Sequence, residues 1–451
     1  MQHKAFLSSG ALLVALSVFF GCSRAEEPAV KSHLSGRIVV SQDVDSSGNY
    51  EGFEIVVASL VDGVIDTMAS AVTAVDGTFS TDVKGRVEGV YPITIRRSGG
   101  VLKQGQIVVA DGDSATLNIT LPTGRPISLR SPENAAWMAY RNTKAAQAGA
   151  LRRLAQMGSQ DSEQLRASVL QAADILWKLA DTYPNTLASE LAKVESVVVL
   201  ATWDDSLTVE RLRDLPLDVR GFVDAARAGW RAQSRIRGLD SALALIDRTR
   251  ERLTDPADAA AMHAERVVAL MSGKRVDEAR REAKGIASDA EDPDWRSWAE
   301  SLLYDLDHLQ PGLRAPSFSA IDRNGSPFEL DALRGLVLLE FYRPGDDAYH
   351  QELPLRSQLD QIAGSDELQI VSVSLEIDPE LNEAFIDTRD LPGTHLVAEG
   401  GADGELARLY NVKSTPRRFL LRDGVILSTY HGRALESVAG DIQLSLAQSG
   451  E

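Results

Sequence analysis

Between Phe341 and Pro354 the chain reads FYRPGDDAYHQELP, and Asp346, Asp347, His350 and Glu352 are of the types that bind hard metal ions or exchange protons. An apolar run of strand length, Leu336 to Phe341, precedes them, and His350 to Leu359 carries apolar residues at roughly helical spacing. A strand that ends in a short polar elbow before a helix presents that elbow at the carboxyl edge of the sheet, where α/β folds place their sites. The spacing does not set all four groups on one helix face, and Asp346 adjoins Asp347. A solvated acidic loop at a helix N-terminus, favoured by the helix dipole, accounts for them more simply than a metal or acid–base centre. The seven histidines show no His-Glu-x-x-His or paired-ligand spacing, and no Gly-rich phosphate loop or Gly-x-Ser-x-Gly nucleophile turn occurs. Neither a metal nor a cofactor is expected. The one cysteine, Cys22, lies far from the elbow in sequence.

The elbow and its flanks resemble the thioredoxin superfamily, in particular the membrane-anchored, TlpA-like thiol-disulfide oxidoreductases and their peroxiredoxin (AhpC/TSA-like) relatives. Their pattern is Phe-Trp, three residues, Cys-x-x-Cys, then Glu and Pro. Aligned on Phe341 and on Glu352-Leu353-Pro354, the two cysteine positions fall on Asp346 and Tyr349, which form no disulfide. Ala315-Pro316-Ser317-Phe318, the Asn324-Gly325 turn and Leu333-Arg334-Gly335 look like the family's entry sequence. Near the end, Tyr410-Asn411-Val412 leads to Thr415-Pro416 and the strand RRFLL. The resemblance implies that Pro416 stands where the family has its cis-proline, packed against the elbow. It further implies a peptide-sized groove there, with Tyr349, Thr415 and Pro416 as binding residues. Asp423-Gly424 reads as a hairpin turn between Phe419 to Leu421 and Val425 to Tyr430.

The elements that must carry this site belong to a chain of 451 residues, enough for two to four domains with real cores. Its 65 acidic residues against 47 basic ones give a formal net charge of −18, a field that repels phosphate backbones and argues against nucleic-acid binding. Residues 1–22 have signal-peptide proportions: Lys4, an apolar run from Ala5 to Phe20, then Gly21-Cys22. This looks like a bacterial lipobox, which implies lipidation of Cys22 as the mature N-terminus. The anchor would sit in the cell envelope, on the outer membrane facing the periplasm or at the cell surface. Lipidation consumes the sole thiol, so stability is left to packing.

Residues 23–32 read as a tether. From 33 to 122, seven short strand-like runs separated by turns such as Asp76-Gly77 and Asp111-Gly112-Asp113 predict an antiparallel β-sandwich, similar to the small sandwich that precedes the thioredoxin domain in TlpA-like lipoproteins. Asp76, Asp111 and Asp113 read as turn formers in preference to calcium ligands. Ser131-Pro132-Glu133 is a helix start, and residues 131–310 predict a helical, repeat-like domain that holds all six tryptophans, read as core anchors. Residues 311–451 would be the thioredoxin-like α/β domain, making the whole a multidomain α+β protein. The function expected is protein or peptide binding by an envelope lipoprotein that has lost its redox centre. The alternative is an oxidoreductase or peroxidase-related enzyme working without cysteines; thiolate availability separates the two, since the thiolate is the nucleophile in this chemistry.

Overall fold

A computed structural model of the chain describes residues 30–61, 64–156, 162–359, 367–389 and 391–447. The leader, Cys22 and tether residues 23–29 lie outside the described residues. The rest of the stretch read as tether, Val30 to Ser32, already belongs to the first strand. The described residues fall into two compact units, one ending at Gly273 and one starting at Lys274.

The first unit opens with eight strands: β1 (Val30–Val40), β2 (Phe53–Val61), β3 (Val64–Val72), β4 (Thr78–Gly85), β5 (Gly89–Arg97), β6 (Gly100–Val109), β7 (Ser114–Leu121) and β8 (Leu129–Arg130). They form two four-stranded sheets, β4-β1-β7-β8 and β3-β2-β5-β6. Alternate residues of both, among them Leu34, Ile38, Ile55, Val57, Ile93, Ile95 and Leu117, share one apolar cluster. The sheets are not wholly antiparallel, because β1 runs parallel to β7. The chain between them builds the entire other sheet, which serves as the long crossover that a parallel pair requires. Asp76 closes its turn, accepting from the Thr78 N–H at 3.0 Å and its hydroxyl at 2.7 Å, while Asp111 accepts from the Lys31 N–H at 3.0 Å.

Helices follow: α1 (Pro132–Gln156), α2 (Ser162–Trp177), α3 (Leu179–Thr182), α4 (Leu187–Leu200), α5 (Asp205–Asp214), α6 (Phe222–Arg237), α7 (Leu239–Arg250) and α8 (Pro256–Ser272). The Ser131 hydroxyl accepts from the Asn134 N–H at 3.1 Å, capping α1, and Asn134 Oδ1 accepts from the Val108 N–H of β6 at 3.0 Å, which ties helix to sheet. The α5 helix is capped by Asp204, and α6 starts at Phe222 after Gly221 at φ +81°. Trp137 and Trp230 are buried, whereas Trp177, Trp203, Trp295 and Trp298 are half-buried.

The second unit takes two helices from the stretch expected to form one helical domain: α9 (Val276–Asp289) and α10 (Pro293–His308). Polar bonds from α10 to the residues beyond it account for that boundary. Asn411 Nδ2 donates to the Ser301 carbonyl at 2.8 Å and to Asp305 Oδ1 at 2.6 Å, and Tyr304 donates to the Leu409 carbonyl at 2.9 Å. After a short ribbon of β9 (Ser319–Ile321) and β10 (Pro327–Glu329) come β11 (Leu336–Tyr342), α11 (Asp347–Arg356), β12 (Leu368–Ser374), α12 (Pro379–Arg389), β13 (Thr394–Val397), α13 (Glu405–Leu409), β14 (Arg417–Arg422), β15 (Val425–His431) and α14 (Leu435–Ala447). The sheet order is β13-β12-β11-β14-β15, with β11 parallel to β12, β12 parallel to β13, and β14 antiparallel to both β11 and β15.

One buried group in the first unit is tied to pH. Glu133 is only 9% exposed, and its Oε2 accepts from the Leu187 N–H at the start of α4 at 3.1 Å. Burial pushes its carboxyl up, the Leu187 N–H opposes this, and the nearby carboxylates of Asp113, Glu88 and Glu190 add to the rise, setting it at about 7. The folded chain therefore keeps that proton between the ordinary value of 4.5 and about 7. Stability falls across this window as pH rises, and is flat above it. Glu133→Gln should make the first unit more stable than the parent by about 1–2 kcal/mol at about pH 8 and by much less at about pH 5. Thermal unfolding at the two pH values checks this, and an equal effect at both contradicts it.

Candidate functional site

The site begins with the alternation of β11. Val337, Leu339 and Phe341 enter one apolar cluster with Val371, Val373 and Phe419, while Leu336 and Leu338 enter another with Ile370, Leu420, Leu435 and Ile442. Glu340 continues the second series and so projects toward α11 and α14, with no exposed surface. An ionised carboxylate is tolerated there only if paired and hydrogen-bonded. Both conditions are met. Glu340 Oε1 accepts from Arg356 Nε at 2.7 Å, the Ser372 hydroxyl at 2.7 Å and the Tyr349 hydroxyl at 3.1 Å, and Oε2 accepts from Arg418 Nε at 3.1 Å. Arg356 Nη2 also donates to Ser372 Oγ at 3.0 Å and to the Pro392 carbonyl at 3.1 Å. The second anion is Glu352: its Oε2 lies 2.9 Å from Arg418 Nη1, and its Oε1 accepts from the Leu435 N–H at 2.9 Å. Two cations and two anions thus offset one another inside the fold. Burial pushes the Glu340 carboxyl up, and the Arg356 and Arg418 guanidiniums more than reverse this, holding it at about 2.

The elbow sits on this network. Asp346 caps α11, its Oδ1 accepting from the Ala348 N–H at 2.9 Å, and its Oδ2 accepts from the Thr415 hydroxyl at 2.8 Å. The Thr415–Pro416 bond is cis. Asp346 thus joins the elbow to the segment before β14, a task for a carboxylate and a hydroxyl that involves no thiol. Tyr349 is wholly buried, its ring stacked on Tyr342 at 4.6 Å between centroids and 20° between planes. Burial and the Glu340 charge push its hydroxyl well above the usual tyrosine range, so it stays neutral and donates.

This corrects the expectation that Tyr349 faces a partner. Its phenol needs both the apolar volume beside Tyr342 and an acceptor, and Glu340 supplies that acceptor from beneath. Of the other binding residues expected, Thr415 is half-buried and Pro416 buried. The four acid–base candidates do not converge: Asp346 turns to Thr415, Asp347 is exposed, His350 Nε2 donates to the Pro344 carbonyl at 2.5 Å, and Glu352 turns inward. Among the described residues no group of three histidine, cysteine, aspartate or glutamate side chains is placed to hold a metal ion. A cleft of about 300 Å³ beside α11 is lined by His350, Leu353, Pro354, Ser357, Arg389 and Leu391, and its lining includes neither Thr415 nor Pro416.

No family model matches the chain. No curated protein matches it either. Among solved structures it is similar to the thioredoxin domain of a thiol-disulfide oxidoreductase from Bacteroides vulgatus, at 18% identity over 30% of this chain and 99% of that one, with a TM-score of 0.27. It is also similar to a thiol-disulfide oxidoreductase from Bacteroides fragilis, at 24% identity over 29% of this chain and 98% of that one, with a TM-score of 0.26. A third is a secreted disulfide oxidoreductase from Mycobacterium tuberculosis, at 22% identity over 28% of this chain and 95% of that one, with a TM-score of 0.25.

Sequence reasoning passed over Glu340, Arg356, Ser372 and Arg418. A signal was present, because a glutamate inside the apolar run LVLLEF and a paired arginine opening RRFLL are charges within predicted buried strands, and such charges need partners. Glu340→Gln should cost about 3–5 kcal/mol, because it leaves Arg356 without its carboxylate and Arg418 with Glu352 alone. Tyr349→Phe removes one hydrogen bond and should cost about 1 kcal/mol. Denaturant unfolding ranks the two, and a Tyr349→Phe loss as large as that of Glu340→Gln contradicts the account.

Proposed function

We propose that this chain is a cell-envelope lipoprotein, held through lipid on Cys22, whose thioredoxin-like domain at 311–451 has exchanged thiol chemistry for non-covalent binding of a protein or peptide. The observation that carries the reading is the fate of the two positions where the resembled family has its cysteines. Asp346 is spent capping α11 and binding Thr415, and Tyr349 is buried against Glu340. Thiol–disulfide exchange requires a thiolate that a partner can reach, and the single cysteine of the chain is at the proposed anchor. In this reading an extended segment would pair with the half-buried backbone of Thr415, whose side chain is held by the bond to Asp346, while Pro416 is buried and its carbonyl accepts from the Gly432 N–H at 2.8 Å. Among the described residues no helix is long and apolar enough to cross a membrane. Stable attachment needs more than one acyl chain.

Protein purified from envelope membranes should carry a lipid-modified Cys22 at its mature N-terminus by mass spectrometry, and should reduce insulin no faster than buffer. An unmodified cysteine removes the anchor from this reading. A reduction rate comparable to that of a thioredoxin overturns the loss of redox chemistry.

A further inference from the structure

At one end of the first unit's sheets a ribbon of two strands runs on past its neighbours. β2 and β3 stay paired out to Leu60 opposite Ile65 and Val61 opposite Val64, whereas β2 is paired with β5 only from Phe53 to Val57. The divergence begins where the register of β2 and β3 shifts, between Val57 and Ala58, as at a bulge that sharpens the twist. Pro92, next on β5, has no N–H to give. Beyond that point Leu60 is 65% exposed, Val64 67% and Ile65 72%. Residues directly opposite share a face of a ribbon, and faces alternate along each strand. The register therefore places Ala58, Leu60, Ile65 and Thr67 on one side, which carries no charge, and Ser59, Val64 and Asp66 on the other.

What covers this face follows from where the chain enters the fold. Val30, at the start of β1, pairs with Gly85, and a Cβ on Gly85 would come within 2.8 Å of Met68 Cε. Ile65 is three residues from Met68 along β3, about 10 Å. The entering chain and the apolar ribbon thus share one end of the sheets. Cys22 is eight residues before Val30, a span of at most about 29 Å when fully extended. A lipid on Cys22 would hold that end close to the bilayer that takes the lipid. Contact with the bilayer is then an intramolecular event at high effective concentration, so a few apolar side chains, too weak to bring a free protein to lipid, suffice. The net charge of −18 repels an anionic surface, which favours zwitterionic lipid. We infer that the ribbon from Ala58 to Thr67 lies with its Leu60 and Ile65 face at the boundary of headgroups and acyl chains of a zwitterionic bilayer, as a second attachment beside the lipid. This inference rests on the reading that Cys22 carries lipid, and it adds a protein surface to that anchor.

Cys22 holds the chain's only thiol, so the full mature protein can be coupled through it to a maleimide lipid in phosphatidylcholine vesicles whose brominated acyl chains quench tryptophan on contact. In Ile65→Trp the emission added over the parent should be quenched by about half on these vesicles, relative to unbrominated ones. Leu102 supplies the control: it is exposed like Ile65 but lies toward the other end of the sheet, beside Val101, which is opposite Arg96, itself opposite Glu54. Leu102→Trp should show no added quenching. Leu60→Ser in the Ile65→Trp chain should cut the quenching severalfold, with circular dichroism unchanged. No quenching at Ile65→Trp, equal quenching at Leu102→Trp, or indifference to Leu60→Ser overturns the inference. So does sedimentation of the uncoupled protein as a dimer that Leu60→Ser/Ile65→Ser dissolves, because a second copy then covers the face. Mass spectrometry of the mature N-terminus judges the anchor separately, since the coupling to vesicles is chemical. Quenching with Cys22 unmodified in cells would sink the anchor and leave the ribbon's affinity for lipid standing; lipid on Cys22 without quenching would do the reverse.

Discussion

A carboxylate placed in the middle of a buried strand sets the terms for everything around it. Glu340 has no solvent to stabilise its charge, so the fold must bring cations to it, and Arg356 and Arg418 arrive from α11 and β14. Those side chains occupy the space under the elbow that smaller apolar residues would otherwise fill. Glu352 is then needed to balance Arg418, and it anchors the first turn of α14 through the Leu435 N–H. One charge thereby ties α11, β11, β14 and α14 together.

The elbow inherits its character from this base. A side chain at position 349 lies above an ionised carboxylate, and a tyrosine there turns its hydroxyl down to bond it. At position 346 a carboxylate at a helix N-terminus is favoured by the helix dipole and completes its second oxygen with Thr415. Both positions are consumed by internal bonds, and neither presents a nucleophile. What remains accessible near the elbow is the half-buried Thr415 at its edge. The proposed binding role rests on that division between side chains spent on internal bonds and backbone left at the surface.

What could be read from the residues was local. LVLLEF is continuous, apolar and bounded by turn signals, Asp423 and Gly424 adopt the left-handed conformation that their hairpin needs, and Ser131-Pro132 starts a helix with a cap that the structure reproduces. Apart from the cis-proline segment that the resemblance set beside the elbow, what could not be read was contact between distant residues. Glu340, Arg356, Ser372 and Arg418 lie on four elements, and no spacing rule links them. The parallel pairing of β1 with β7 joins strands separated by an entire sheet. The placement of α9 and α10 in the second unit depends on bonds such as Asn411 to Ser301, across more than a hundred residues of chain. Tyr349 was misread for a related reason: alignment locates a position in the chain, but the direction of the side chain is decided by its volume and by the acceptor waiting beneath it.

The central claim is that Glu340 stays ionised inside the fold, and its titration tests this most directly. Side-chain carboxyl NMR of the folded chain should show Glu340 unprotonated through the ordinary glutamate range and changing only as the pH approaches about 2. Its contribution to stability would then be present above the unfolded value of 4.5 and lost on acidification toward that limit. Protonation of Glu340 at or above the ordinary glutamate value would contradict the account, because the two arginines would then not be holding a charge.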